Sequence, residues 1–145
     1  MEKRLGRLIS MLYRKSQVYL SQELKNYDIT SAEYPILIAL NQNNGATQEE
    51  LSSHLYLDKS AVTRVIQALM EKGFVTRSKD ERDLRCNRIY LTEKGCKVQK
   101  PIKAALDHWN NILMMHMEKE KQDIIYELLI RMAENVNEEF LKRKA

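Results

Sequence analysis

The spacing of apolar residues along the chain predicts a mostly helical protein. From about Glu2 to Asn26, apolar residues recur every three or four positions, as on one face of an amphipathic helix. The same period returns in a second helix that begins after Thr30, in a long helix after Thr92, and in a last helix from about Lys121 to Lys142. A mainly α fold is therefore expected.

Two shorter helices in the middle of the chain are marked by their caps. Thr47 has capping-box spacing and begins a helix from about Gln48 to Leu55. Asp58 caps the next helix, from about Lys59 to Lys72, and Gly73 ends it. The short connection between the two helices predicts a helix-turn-helix unit.

After that unit the apolar period changes from helix to strand. Phe74 to Arg77 and Asn87 to Leu91 are β-like, and a charged loop, Ser78 to Cys86, connects them. Two helices followed by a β-ribbon predict a winged helix-turn-helix. The predicted fold is mainly α with a small β-ribbon wing, flanked by N- and C-terminal dimerisation helices.

The flanking helices indicate a dimer and set the predicted domains. The last helix carries an apolar stripe that no later element covers, which favours a partner chain, although the two ends of one monomer could instead pack on each other. The predicted segments are a dimerisation helix at 1–29, a DNA-binding domain at 30–95 and dimerisation helices at 96–145. The stripe comprises Ile125, Leu128, Leu129, Met132, Val136 and Phe140.

Composition narrows the class of protein. The 145 residues are 43% hydrophobic and 30% charged, with a net charge of +4, so the chain has room for one domain with a core, and its basic excess permits nucleic-acid binding. It has no apolar run of roughly 18 residues and no secretory signal pattern, and its cysteines are too few for a disulfide scaffold. The expected location is the cytoplasm, with no membrane partner.

The helix after Asp58 has two distinct faces. One face is apolar, and the other carries small hydrogen-bonding side chains, an amide and basic groups at helical spacing. Such residues near a helix N-terminus suit the DNA major groove, because they can bond base edges or phosphates. The alternative is an ordinary amphipathic surface helix. The candidate major-groove residues are Lys59, Ser60, Thr63, Arg64 and Gln67.

The loop between the predicted strands alternates acids with arginines. This alternation predicts that carboxylates orient guanidinium groups at the tip of the ribbon. An oriented arginine suits a narrow minor groove, where the negative potential is strongest. The candidate wing residues are Asp80, Arg82, Arg85 and Arg88.

Two strings resemble motifs of the MarR family of transcriptional regulators. Asp80-x-Arg82-x-x-Arg85, with Leu91-Thr92-x-x-Gly95 after it, is similar to that family's wing signature. The segment from Asp58 to Arg64, followed by Gly73-Phe74-Val75, resembles its recognition helix.

The resemblance implies a homodimer on double-stranded DNA, with the outer helices forming the shared interface. It places Ser60, Thr63 and Arg64 at base-contacting positions, and gives Asp80 the role of orienting an arginine. It further implies repression from a pseudo-palindromic operator, with half-sites about one helical turn apart, and release by a small anionic or phenolic effector. No cofactor is required.

An effector pocket is expected between the first, second and fifth predicted helices. Tyr13, Tyr34 and Trp109 are its aromatic candidates, and Arg14 is the candidate partner for an anion. The alternative is that these side chains belong to the core or to the dimer interface.

The cysteines allow a second mode of regulation. Cys86 follows Arg85, so neighbouring cations are expected to favour its thiolate and make it a candidate redox site, unless it is an incidental loop residue. Cys96 is expected to be buried. The extended strand between the two cysteines holds their thiols too far apart for an intramolecular disulfide, so none is expected.

Neither a metal site nor an enzyme is predicted. Met114 to Met117 includes sulfur and imidazole groups, but a helix points them in different directions, and the three histidines lack zinc-site spacing. No nucleophile, phosphate-loop or Cys/His catalytic motif occurs. The alternatives to a DNA-binding repressor are a winged helix that binds proteins and a thiol-responsive regulator that acts through Cys86.

Overall fold

The computed structural model describes residues 3–144, which form seven α-helices and one two-stranded sheet. The predicted start of the first helix, Glu2, lies outside these residues. In chain order the elements are α1 (Leu5–Leu24), α2 (Tyr34–Gln42), α3 (Gln48–Leu55), α4 (Lys59–Glu71), β1 (Val75–Lys79), β2 (Asn87–Leu91), α5 (Glu93–Lys97), α6 (Gln99–Leu113) and α7 (Lys119–Lys144). The predicted mainly α fold with a β-ribbon wing is confirmed.

The chain divides into two compact units between Trp109 and Asn110. The first unit contains α1 together with the helix-turn-helix and the wing, because Leu20 and Leu24 at the end of α1 are buried in the same core as α2 and α4. The second unit contains the end of α6 and all of α7. The functional labels given to 1–29, 30–95 and 96–145 remain predictions.

The apolar face of α4 anchors the core of the first unit. Val62, Ile66 and Leu69 are completely buried, and Val65 and Met70 are partly buried beside them, as their spacing predicts. On α2 the sequence predicts Tyr34, Leu37, Ile38 and Leu40 as the buried side, which is partly wrong. Tyr34 and Ile38 are only half-buried, whereas the adjacent Ile36 and Ala39 are buried along with Leu37 and Leu40, because α2 has neighbours on more than one side.

Caps fix the beginnings of three helices. Thr47 forms the full predicted capping box with Glu50, and Asp58 accepts a hydrogen bond from Ala61 N at 2.6 Å. Thr92 caps α5 in the same way. The segment from Thr30 to Glu33 also has capping-box spacing, but this box is incomplete, because Glu33 Oε1 accepts from Thr30 N while α2 begins only at Tyr34.

The wing is an antiparallel ribbon that the loop before α3 extends. β1 pairs with β2 from Val75 opposite Leu91 to Lys79 opposite Asn87, so β1 runs two residues further than predicted. Gly45 N donates to Ile89 O at 2.8 Å, and Ile89 N donates to Ala46 O at 2.9 Å. The loop between α2 and α3 therefore holds the root of the wing.

In the C-terminal third of the chain, the helices end and begin at positions other than those predicted. The single helix expected after Thr92 is two helices, α5 and α6, with Val98 between them. The polar segment from Glu118 to Asp123 predicts a turn, but the turn lies earlier, at Met114 to His116, where His116 adopts a φ of 64°. The early start of α7 is supported by an ion pair of 3.2 Å between Lys119 and Asp123, one turn apart. None of the helices in residues 3–144 combines the length and apolarity needed to cross a membrane.

Candidate nucleic-acid interface

The exposed face of α4 carries all five residues predicted for the major groove. Each of them is exposed, on the side opposite the buried Val62, Ile66 and Leu69. This face is the recognition face: Lys59, Ser60, Thr63, Arg64 and Gln67. Its position is as the sequence predicts, while contact of these residues with DNA remains a prediction.

The hydroxyl groups of the recognition face give their protons to the protein itself. Ser60 Oγ donates to Asp58 Oδ1 at 2.9 Å, and Thr63 Oγ1 donates to Lys59 O at 2.9 Å. The Ala61 backbone N–H and the Ser60 hydroxyl lower the pKa of Asp58, which stays an acceptor. In this conformation neither hydroxyl is a free donor, and the Arg64 guanidinium is the stronger donor on this face.

A polar groove of about 350 Å³ lies between α3, α4 and the wing. Three cationic side chains, Lys59, Arg77 and Arg85, line it together with the carboxylate of Glu49, which is 3.9 Å from Lys59 Nζ. The groove joins the recognition face to the wing. Its remaining lining residues are Thr47, Gln48, Thr63, Cys86 and Asn87.

Arg77 and Gln48 are among the groove residues that the sequence did not single out. Arg77 lies exposed in the middle of β1, where the run from Thr76 to Lys79 is polar throughout, so no alternation predicted which face Arg77 takes. Gln48 Nε2 lies 3.2 Å from Thr63 Oγ1, fifteen residues away along the chain. No local sequence pattern predicts a contact between residues so far apart in the chain.

Asp80 orients an arginine, and that arginine is Arg88. The Asp80 carboxylate accepts from Arg82 N at 3.0 Å and from Arg88 Nη2 at 3.1 Å. The Arg82 backbone N–H and the Arg88 guanidinium hold the pKa of Asp80 below its usual range. Arg88 Nη1 also donates to Gly45 O at 2.9 Å. Arg88 thus braces the wing root through both terminal nitrogens, while its side chain stays 36% exposed and its contact with a DNA groove remains a prediction.

A second carboxylate, Asp83, orients Arg85. Asp83 Oδ1 accepts from Arg85 N at 3.1 Å and from Arg85 Nε at 3.2 Å, while the Arg85 side chain is 92% exposed. The Arg85 backbone N–H is the main cause of the lowered pKa of Asp83. The wing therefore presents Arg82 and Arg85 at its exposed tip, with Arg85 already held in place.

Two expectations are wrong, that cations favour a thiolate at Cys86 and that Cys96 is buried. Cys86 Sγ lies 3.6 Å from Asp83 Oδ2, and partial burial together with that carboxylate raises the pKa of the thiol. The neighbouring acid thus outweighs the cations that were expected to favour a thiolate. Cys96, expected to be buried, is exposed on α5. Both thiols are free.

The four residues proposed for an effector pocket are only partly brought together. Burial is the main cause of the raised pKa of Tyr34, and the nearby Tyr13 adds to it. Trp109 instead packs against Tyr19, with ring centroids 5.0 Å apart. Arg14 is exposed on α1 beside Tyr13. Within residues 3–144, no three His, Cys, Asp or Glu side chains group closely enough to hold a metal ion.

Similarity to known proteins agrees with the geometry of the helices and the wing. Residues 29–87, which include α4 and the tip of the wing, match the MarR family. The chain is also 36% identical to a MarR transcriptional regulator from Methanosarcina mazei Go1, with a TM-score of 0.86 over 92% of this chain and 90% of that one. The chain belongs to the MarR family. It is a winged-helix transcriptional regulator.

Two further relatives extend the comparison. The HTH-type transcriptional regulator SarZ of Staphylococcus aureus (strain USA300) is 30% identical over 72% of this chain and 70% of its own length. A mutant MarR from E. coli, solved in complex with operator DNA, is 27% identical, with a TM-score of 0.81 over 88% of this chain and 92% of that one. The relatives are transcriptional regulators and not enzymes.

Proposed function

We propose that this MarR-family protein is a homodimeric repressor that binds a pseudo-palindromic operator in the cytoplasm. In each subunit α4 enters the major groove, and the tip of the wing enters the neighbouring minor groove. The observation that carries the proposal is the cationic groove between the recognition face and the wing, with the exposed Arg85 held by Asp83. The positive charge along this groove complements the negative phosphate backbone of a duplex that passes through it.

The related E. coli protein solved with operator DNA supports the choice of ligand. A protein-binding winged helix would instead be expected to present large apolar anchors. The recognition face carries hydroxyls, an amide and two cations, which suit base edges and phosphates better.

The exposed apolar faces of the outer helices support a dimer. On α1, Leu5, Leu8, Ile9 and Leu12 follow helical spacing and are 52%, 53%, 45% and 46% exposed. On α7, Leu128, Leu129, Val136 and Phe140 are about equally exposed, at 52%, 49%, 49% and 58%. Apolar patches of this length on a soluble chain indicate an interface, and a second copy is the partner we propose.

An effector would act through the first unit. Tyr13 and Tyr34 lie near each other, and Arg14 offers a cation on the same helix as Tyr13. This combination suits a small anionic or phenolic compound. We propose that such a compound, and no bound cofactor, releases the repressor from DNA.

A selection on genomic DNA tests the proposal. The purified protein is mixed with a fragmented library of its own genome at two salt concentrations, and the retained DNA is sequenced. The expected result is enrichment of one palindromic site, with affinity that falls steeply as salt rises. Weak and uniform retention at both concentrations would contradict specific binding. Sedimentation of the complex gives the stoichiometry, and one chain per site would contradict the dimer.

A further inference from the structure

Gln48 reaches from α3 to the recognition face. It is the first residue of α3, and its Nε2 lies 3.2 Å from Thr63 Oγ1 on α4. Thr63 gives its single hydroxyl proton to Lys59 O, at 2.9 Å. The Thr63 oxygen can therefore only accept from Gln48, so the Gln48 amide must present an N–H to it. This fixes which end of the carboxamide faces Thr63.

The rest of the carboxamide remains available inside the groove. A glutamine amide has two N–H groups and one carbonyl oxygen, so one donor and one acceptor are left over. Gln48 lines the groove together with Arg77 and Arg85, where the duplex of the proposed complex would pass. A donor and an acceptor side by side on one carboxamide match the N7 and N6 groups of adenine in the major groove.

We propose that Gln48 is a further base-contacting residue, which binds adenine in each half-site, and that Thr63 is the positioning residue that holds it. The proposal rests on the proposed function, since α4 must lie in the major groove. It extends the recognition surface beyond α4 to the first residue of the preceding helix. A phosphate contact is the competing arrangement, because a phosphate would use the free N–H alone and would carry no base preference.

The test replaces adenines of the selected operator one at a time by 7-deaza-adenine, in one half-site only. This base lacks the N7 acceptor and keeps Watson–Crick pairing. A bidentate contact contributes discrimination of about 5- to 150-fold, so loss of one of its two bonds should weaken wild-type binding by about fivefold. Gln48→Ala should bind natural operator more weakly and should show no further loss at that adenine. Fluorescence anisotropy gives the four affinities.

A matched pair at Thr63 tests the positioning role. Thr63→Val keeps the size of the side chain but removes the oxygen that accepts from Gln48. Thr63→Ser keeps that oxygen and removes the methyl group. Thr63→Val should lose most of the sensitivity to 7-deaza-adenine, as Gln48→Ala does, whereas Thr63→Ser should retain it. Thermal melting of each variant shows that the fold is intact, and the Thr63 pair carries the test if Gln48→Ala does not fold.

The outcomes separate this inference from the proposed function. If wild type binds its operator tightly but no adenine shows a loss that disappears in Gln48→Ala, the inference is wrong and the repressor assignment stands. A neutral methylphosphonate in the DNA backbone tests the phosphate contact. If it weakens wild-type binding but causes no further loss in Gln48→Ala, Gln48 contacts phosphate and the base contact is refuted. If no specific site is bound at all, both proposals fail together.

Discussion

The buried ion pair between Glu33 and Lys72 provides a direct test of what holds the recognition helix in place. Glu33 precedes α2 and is 3% exposed, while Lys72 directly follows α4. Lys72 Nζ lies 2.9 Å from Glu33 Oε1 and 3.0 Å from Asp28 O. Replacing Lys72 by Met keeps most of the packing of the aliphatic chain but leaves the Glu33 carboxylate buried without a cation.

The expected magnitude follows from the burial of the two groups. Removal of one partner of a buried ion pair costs about 3–5 kcal/mol, because the remaining charge is uncompensated. The Lys72 side chain is 24% exposed, so water can reach part of the site, and we expect Lys72→Met to lower the free energy of unfolding by about 3 kcal/mol, at the low end of that range. One remaining bond, from Thr30 N to Glu33 Oε1 at 2.9 Å, limits the loss further.

The measurement is urea unfolding at pH 7, followed by circular dichroism, on a four-member cycle. The members are wild type, Lys72→Met, Glu33→Gln and the double variant. Burial lowers the pKa of Lys72, but the hydrogen bond and charge of Glu33 outweigh it, so the net pKa is raised. A lysine whose pKa is raised in the folded state contributes its full stabilisation below its unfolded-state pKa of about 10.4. It loses that stabilisation only as the pH rises through the folded-state pKa, so a measurement at pH 7 reports on the intact ion pair.

The double variant decides between charge and packing. A neutral amide at position 33 needs no cation, so Glu33→Gln should recover most of the stability lost in Lys72→Met. A Lys72→Met variant within about 0.5 kcal/mol of wild type would refute the reasoning, since ordinary surface substitutions lie in that range. So would a double variant in which the two losses simply add. Any loss of operator affinity beyond the loss of stability would show that the pair also orients α4.

Four other outcomes can be measured directly. Arg64→Ala should weaken operator binding by about 1–3 kcal/mol and relax the preference at one base position, measured by anisotropy on variant sites. Arg85→Ala should weaken binding to all sequences and reduce the salt slope by about one per subunit, as a phosphate or minor-groove cation would. Because the pKa of Asp80 is lowered in the folded state, its carboxylate stabilises the fold fully above the unfolded-state pKa of about 3.9. That stabilisation is lost as the pH falls through the folded-state pKa, so the difference in Tm between wild type and Asp80→Asn should close in acid. Gly95→Ala should lower Tm, because its Cβ would lie 2.2 Å from a backbone carbonyl oxygen, whereas Gly6→Ala, which meets nothing within 4 Å, should not.

The parts of the fold that local chemistry determines were predictable from sequence. The bounds of α3 were predicted to the residue, because Thr47 and Glu50 cap each other within one helical turn. The buried face of α4 followed from helical period alone. The division at Val98 of the helix expected after Thr92 also has a local signal, because Pro101 lies in the first turn of α6 and lacks the N–H that a continuous helix would use. The turn at Met114 to His116, by contrast, contains neither glycine nor proline, so no residue type there marks the end of α6 in the way that Gly73 marks the end of α4.

In the candidate site, too, the sequence predicts the features that local spacing determines and misses those that depend on contacts between side chains. The sequence places the exposed side chains of α4 correctly, since their spacing determines their face. It does not show which acid pairs with which arginine in a wing where three acids and three arginines lie close together. Asp80 binds Arg88 across the ribbon, and Asp83 binds Arg85 within the tip. The same ambiguity explains the wrong expectation for Cys86, whose nearest charged neighbour is an acid and not an arginine.

Those internal contacts change what the recognition face can offer to DNA. A helix with serine and threonine at its exposed positions looks rich in donors, yet Ser60 and Thr63 give their protons to Asp58 and Lys59 O. What remains at those positions is acceptor lone pairs and a methyl group. Donors must then come from Lys59, Arg64 and Gln67 on α4, from the wing arginines and, as proposed, from the Gln48 amide. Because these groups sit on three different elements, a shift of α3 or of the wing relative to α4 would change base preference without altering any side chain of the recognition helix.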